Sequence, residues 1–204
     1  MIKNIIFDWS GVIKDHSMGH FIVINKMLEY FGLNKMTLEQ LRNEWSEPYM
    51  TFWNKYLPDL TKEQQDVVYK KVLMENFNPK EYPGIIDLIQ KLKKEGKNII
   101  VISADHAISI LPEIKKFGLQ NIFNDIEIGI HDKEETLYKI IKRNNFIENE
   151  TAIIGDSNQE ITIGRKAGIK TIAVTWGLCS ENNLKLMNPD YIVRNIKELE
   201  KIVL

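Results

Sequence analysis

The sequence predicts an α/β protein, a parallel sheet covered by helices on both faces and interrupted early by an all-helical insert. Three observations point there. Short, continuously apolar runs recur between helical patterns, as they do in strands buried on both faces. The first run, Ile5, Ile6 and Phe7, is stopped by Asp8 and by a turn at Gly11. From about residue 17 to residue 78, by contrast, apolar positions keep helical spacing and form no convincing strand pattern.

Within that stretch Phe21, Ile24, Leu28 and Phe31 share one helical face. Thr37 is placed to cap the next helix, with Gln40 three residues on as in a capping box. A third helix is expected from Ser46 or Glu47, with Pro48 in its first turn. Tyr49, Trp53 and Tyr56 then lie on one face, with Phe52 beside them. Thr61 opens a fourth helix, and Asn78-Pro79 closes the block. The expected division is a core of residues 1–15 and 79–204 and an insert of residues 16–78.

The remainder alternates. Helices are expected over 84–96, 108–117, 133–144 and 158–167, with a last one at the end of the chain. Strands are expected over 99–102, 126–128, 152–154, 171–174 and, more weakly, 191–193. Such alternation is that of a Rossmann-like, doubly wound parallel sheet.

With 44% hydrophobic and 27% charged residues in 204, the chain can bury a sizeable core as one domain or as a core with an insertion. Lys and Arg number 27 against 28 Asp and Glu, so the net charge of -1 gives no sign of a nucleic-acid or membrane partner. The single cysteine, Cys179, permits no intrachain disulfide and argues against a cysteine zinc site. It reads as an ordinary loop residue, and the composition fits a reducing compartment. The N-terminal apolar run breaks at Asp8, far short of a signal peptide. No stretch approaches the roughly 18 apolar residues of a membrane helix, so a cytoplasmic location is expected.

In such sheets ligands bind outside the carboxyl ends of the strands. Asp8, Ser103 and Asp156 stand just past three of them, and Lys133 follows a fourth. Two carboxylates brought together repel unless a cation sits between them, and magnesium suits oxygen donors. Ser103 offers a hydroxyl and Lys133 a fixed charge to phosphoryl oxygens, while the Gly11 turn can face backbone N–H groups to an anion. A carboxylate held in line with phosphorus can act as a nucleophile.

These residues carry a resemblance. Asp8-Trp9-Ser10-Gly11-Val12, Ser103 after its strand, Lys133, and Gly155-Asp156-Ser157-Asn158-Gln159-Glu160 resemble, in order, the four motifs of the haloacid dehalogenase superfamily. The segment from Gly164 to Gly168, and the tail from Trp176-Gly177-Leu178 to Pro189-Asp190-Tyr191, are similar to phosphoglycolate-phosphatase-type members, whose helical cap sits where the insert does. The resemblance implies a magnesium-dependent phosphohydrolase acting on a small phosphorylated metabolite, as a monomer or homodimer. It makes Asp8 nucleophile and metal ligand, gives the metal the backbone carbonyl of Ser10, and adds Asp156 as a further ligand. Glu160 would reach the metal through water or steer Asp156. Ser103 with Ala104, Gly11 and Lys133 would hold the phosphoryl group.

One position departs from that pattern. Most phosphatases of the family carry a second aspartate two residues after the nucleophile, where it protonates the leaving group and later activates water. Here it is Ser10. Losing a general acid/base costs about 10²–10⁴-fold in rate. Three readings follow. A slow or specialised phosphatase could be helped by Asp15 or His16, and Ser10→Asp would then speed alkyl phosphate turnover. A phosphonoacetaldehyde-hydrolase-like enzyme would need a cap lysine, for which Gly32-Leu33-Asn34-Lys35 is a candidate. The third is a module that binds phosphate and metal without turnover. A true dehalogenase fits less well, because Asp156 with Glu160 suits a metal site. His16 and His20, four apart, are expected to be surface or insert residues, and the aromatics Trp45 to Tyr56 to pack the insert.

Overall fold

The computed structural model describes residues 1–74 and 80–204. The chain begins with β1 (Asn4–Phe7) and a short β2 (Lys14–Asp15). The insert follows as α1 (Ser17–Tyr30), α2 (Leu38–Glu44), α3 (Tyr49–Tyr56) and α4 (Lys62–Met74). The chain returns through β3 (Lys80–Glu81) and α5 (Ile85–Lys94) to β4 (Asn98–Ser103), α6 (Ala107–Lys116) and β5 (Asp125–Ile128). Next come α7 (Glu134–Arg143), β6 (Thr151–Gly155), α8 (Asn158–Lys166) and β7 (Lys170–Val174). The described chain closes with α9 (Glu181–Leu186), β8 (Tyr191–Val193) and α10 (Ile196–Val203).

Six strands form one sheet in the order β5-β4-β1-β6-β7-β8, with every pairing parallel. Side chains alternate between its faces along each strand. Ile5, Phe7, Ile99, Val101 and Ile154 pack with Leu88 and Leu92 of α5, Ile110 of α6 and Leu199 of α10. Ile6, Ile100, Ile102 and Ile153 point the other way, onto Leu137 and Ile140 of α7 and Ile163 of α8. This two-sided burial is why the strands read as unbroken apolar runs. The α/β class is as expected.

Helices α1 to α4 build their own cluster, with Val23, Met27, Leu41, Trp45, Phe52, Trp53 and Val68 buried and Leu178 joining from the core. Trp45 packs on Phe52, and Phe52 on Trp53 and Tyr56. Thr37 and Gln40 form the capping box, each accepting the other's backbone N–H. Thr61 and Gln64 exchange the same pair of bonds ahead of α4.

Three features depart from expectation. β2 and β3, the strands that leave for and return from the insert, pair antiparallel through Lys14↔Glu81 and Asp15↔Lys80. Two residues are too few to carry a periodic pattern, so this pairing is set by tertiary contact. α3 begins at Tyr49, with Pro48 outside it as an extended N-cap residue, so Ser46 and Glu47 belong to the connecting segment. α9 was not expected; Ser180 caps it by accepting from Asn183 N–H. The expected end of the insert at Asn78-Pro79 lies outside the described residues. Among the described residues no helix is long and apolar enough to cross a membrane.

Candidate active site

The C-terminal rim of the sheet gathers the chemistry. Asp8 follows β1 directly, and its N–H donates to the Ile154 carbonyl at 2.9 Å, carrying the ladder one residue past the strand. Phe7 pairs with Val101 and with Ile154, so Asp8 emerges between the ends of β4 and β6, beside Ser103 and Asp156. Lys133, just ahead of α7, reaches in from the β5 side. Its Nζ lies 2.8 Å from Asp8 Oδ1 and 2.6 Å from Glu160 Oε1. The second Glu160 oxygen accepts from the Ser157 hydroxyl at 2.6 Å. Glu160 thus holds the lysine, a contact the sequence did not suggest.

Asp8, Asp156 and Glu160 each present a carboxylate oxygen within 4.8 Å of the others. Burial pushes the Asp8 carboxyl up, Lys133 opposes and Glu160 reinforces it. Burial, then Asp8 and Glu160, push Asp156 up against the Leu178 N–H, which donates to Oδ2 at 2.7 Å. Burial works against the charge of Lys133, but Asp8 and Glu160 outweigh it and keep the side chain cationic. Three carboxylates around one lysine are short of positive charge, and this all-oxygen donor set fits a hard divalent cation.

Backbone makes room for Asp156. A Cβ on Gly11 or on Gly177 would overlap its carboxylate, and Gly11 holds a left-handed φ of 84°. The Gly11 N–H donates to the Lys14 carbonyl at 2.9 Å. It is therefore engaged and does not face an anion as expected; the position supplies close approach. Ser103 is buried, and its hydroxyl accepts from the Asp105 N–H at 3.0 Å. Ala104 is half-buried in the same turn.

Ser10 is turned toward a network the sequence did not reveal. Its hydroxyl donates to Asp105 Oδ2 at 2.7 Å. The same oxygen accepts from Lys14 Nζ at 2.6 Å, and Lys14 lies 3.4 Å from Glu113 Oε1. The other Glu113 oxygen accepts from Trp9 Nε1 at 2.6 Å. Burial opposes the charge on Asp105, yet Lys14 and the Ser10 hydroxyl outweigh it and hold the carboxyl well below the usual range. The only local cue to Asp105 was its position two residues after Ser103; nothing marked Lys14 as its partner.

The acids proposed to stand in for Ser10 are placed otherwise. Asp15 is exposed on β2. His16 and His20 are buried rather than on the surface, with His16 Nε2 2.5 Å from His20 Nδ1. Burial lowers both, His20 to about 3, so at neutral pH each is an uncharged ring. Lys35 lies on the surface, paired with Glu29 at 3.1 Å. Cys179 is buried, which pushes its thiol up to about 12. Tyr49, one of the insert aromatics, packs against His131 of the core and donates to Asp66 at 2.9 Å.

A carboxylate cluster at the carboxyl rim of a doubly wound parallel sheet, pinned by one lysine, is the binding edge of an open α/β fold. Residues 5–174 match the family model of the haloacid dehalogenase-like hydrolases, and the chain belongs to that family. It is 27% and 30% identical to the pyrophosphatases PpaX of Halalkalibacterium halodurans and Bacillus mycoides over 128 and 129 residues, 60% of this chain in each case. It spans about three fifths of the length of those two relatives. With the pyrophosphatase PpaX of Oceanobacillus iheyensis it shares 24% identity over 99% of this chain and 97% of that protein. A haloacid dehalogenase-like family hydrolase from Streptococcus pneumoniae shares the fold, with a TM-score of 0.81 at 20% identity over 100% of this chain and 99% of the other.

Proposed function

We propose that the protein is a magnesium-dependent phosphohydrolase that cleaves small phosphorylated molecules through a phosphoenzyme on Asp8. The observation that carries this reading is the bridge of Lys133 between Asp8 and Glu160 beside Asp156. It gives a nucleophile, a cation for phosphoryl oxygens and a metal-binding acid at one point.

Asp8, Asp156 and the Ser10 carbonyl would hold magnesium, which when bound neutralises charge on the carboxylates and on the phosphoryl group. Asp8 attacks phosphorus as the leaving group departs, and water then cleaves the acyl phosphate and restores the carboxylate. Lys133 and Ser103 hold the phosphoryl oxygens, with Glu160 fixing the lysine in place. The insert, residues 16–78, covers the site and selects the leaving group. Pyrophosphate is a fitting substrate: three relatives bear the name pyrophosphatase, and a departing phosphate asks less of an acid than an alkoxide does.

The test is release of phosphate from pyrophosphate, phosphoglycolate and p-nitrophenyl phosphate with and without magnesium, for the wild type and Asp8→Asn. Turnover that needs both the metal and Asp8 is expected. Binding of magnesium and phosphate with no turnover on any of the three would instead leave the protein as a non-catalytic module.

A further inference from the structure

We propose that Glu47, carried by the insert, exchanges the proton that Ser10 is not placed to give, acting as general acid toward the leaving group and then as general base toward water. This rests on the phosphohydrolase reading above.

The need is set by Ser10. Its hydroxyl proton is directed at Asp105, which is itself locked to Lys14, so the position two residues after the nucleophile has no proton aimed at the substrate. His16 and His20 are uncharged and bonded to each other.

The placement is set by Asn158. This first residue of α8, two past Asp156, takes the Glu47 backbone with one side chain. Its Oδ1 accepts from the Glu47 N–H and its Nδ2 donates to the Glu47 carbonyl, both at 2.9 Å. The clamp fixes Glu47 at the core although it belongs to the segment before α3. The charges that reach its carboxyl are those of Lys133, Glu160, Asp8 and Asp156, all of them rim residues. The clamp therefore sets Glu47 beside the start of α8, two residues past Asp156, where the charges of the rim reach its carboxyl.

The protonation state agrees. Burial, with Glu160, Asp8 and Asp156 adding to it against Lys133, holds the Glu47 carboxyl at about 8. That direction favours the protonated form, the state a general acid starts from.

The proton balance closes. As an Asp8 oxygen bonds to phosphorus and the bond from phosphorus to the leaving oxygen breaks, Glu47 gives its proton to that oxygen. The resulting carboxylate then takes a proton from the water that attacks the acyl phosphate. Phosphate leaves, Asp8 is restored, and Glu47 is protonated again.

Because the clamp uses only backbone atoms of Glu47, Glu47→Gln removes the acid and leaves the anchoring intact. The experiment compares wild type, Glu47→Gln, Glu47→Asp and Asp8→Asn with magnesium, by rapid quench and at steady state. For Glu47→Gln, turnover of phosphoglycolate should fall about 10²–10⁴-fold with KM little changed. With p-nitrophenyl phosphate the first burst of nitrophenol should persist while steady turnover falls and acid-stable phosphoenzyme accumulates. Glu47→Asp should recover part of the rate, and the pH profile of kcat should lose one limb in Glu47→Gln. Turnover of Glu47→Gln within about threefold of wild type, or loss of burst and turnover alike with no phosphoenzyme, overturns the proposal alone. No turnover by the wild type, or full activity of Asp8→Asn, overturns the phosphohydrolase reading and this inference with it.

Discussion

Ser10 donates its hydroxyl proton to Asp105 across 95 residues of sequence, at 2.7 Å. That bond changes what Ser10→Asp should do. From sequence alone the substitution restores a missing acid; beside Asp105 it places two carboxyls within hydrogen-bonding distance. The introduced carboxyl is then held above its unfolded pKa. Its destabilisation is absent below about pH 4 and grows as the pH rises. Urea unfolding should show a loss of about 1–3 kcal/mol at pH 8 and little at pH 4. Alkyl phosphate turnover should rise only when Asp105→Asn is added. A large gain from Ser10→Asp by itself would contradict this.

Asp105 is the main counterion of Lys14, whose side chain is 3% exposed. Asp105→Asn removes the 2.6 Å ion pair of a buried ammonium and should cost about 3–5 kcal/mol. Lys14→Met combined with Asp105→Leu should cost less than either single change, because no charge is then stranded. Urea melts of the three variants form the double-mutant cycle, and additive losses would show the pair to be uncoupled.

His20 makes the fold sensitive to acid. Its folded pKa, lowered to about 3 chiefly by burial, lies below the ordinary histidine value of 6.5, so the unfolded chain binds the proton more readily. Its contribution is fully present above pH 6.5 and is lost as the pH falls toward 3. By pH 5 the loss should be about 2 kcal/mol. His20→Leu should flatten the stability curve over that interval, and a curve of unchanged slope would count against the account.

At Gly177 a Cβ would overlap Cβ, Cγ and an oxygen of Asp156, so moving only the tip of the aspartate gives no relief. Gly177→Ala should displace that side chain while the distant sheet core stays intact. We expect about a 10–100-fold loss of magnesium affinity by calorimetry, with a far-UV spectrum like the wild type. Wild-type magnesium binding would show that Asp156 is not a ligand.

Much of the rim was legible before any coordinates. A strand buried on both faces announces itself locally, through an apolar run such as Ile5 to Phe7, and it ends where the first polar residue appears. Asp8, Ser103 and Asp156 could therefore be placed at one edge by a topological rule. Roles inside the rim were less legible. Glu160 turned out to hold Lys133, and the Gly11 N–H was already taken by Lys14. Asp105 offered only its place two residues after Ser103, and Glu47 no periodic or motif-like cue.

What the sequence determined on its own was the alternation of helix and strand, the helical character of the insert and the strand ends that carry acids, because periodicity, capping and chain termination act over a few residues. Tertiary structure decided which partner each polar side chain found: Ser10 with Asp105, Lys14 with Asp105 across 91 residues, and Glu47 with Asn158 across 111. Burial limits the water open to those groups, so each is satisfied by what the fold brings within about 3 Å, and that choice is written in no local stretch of chain.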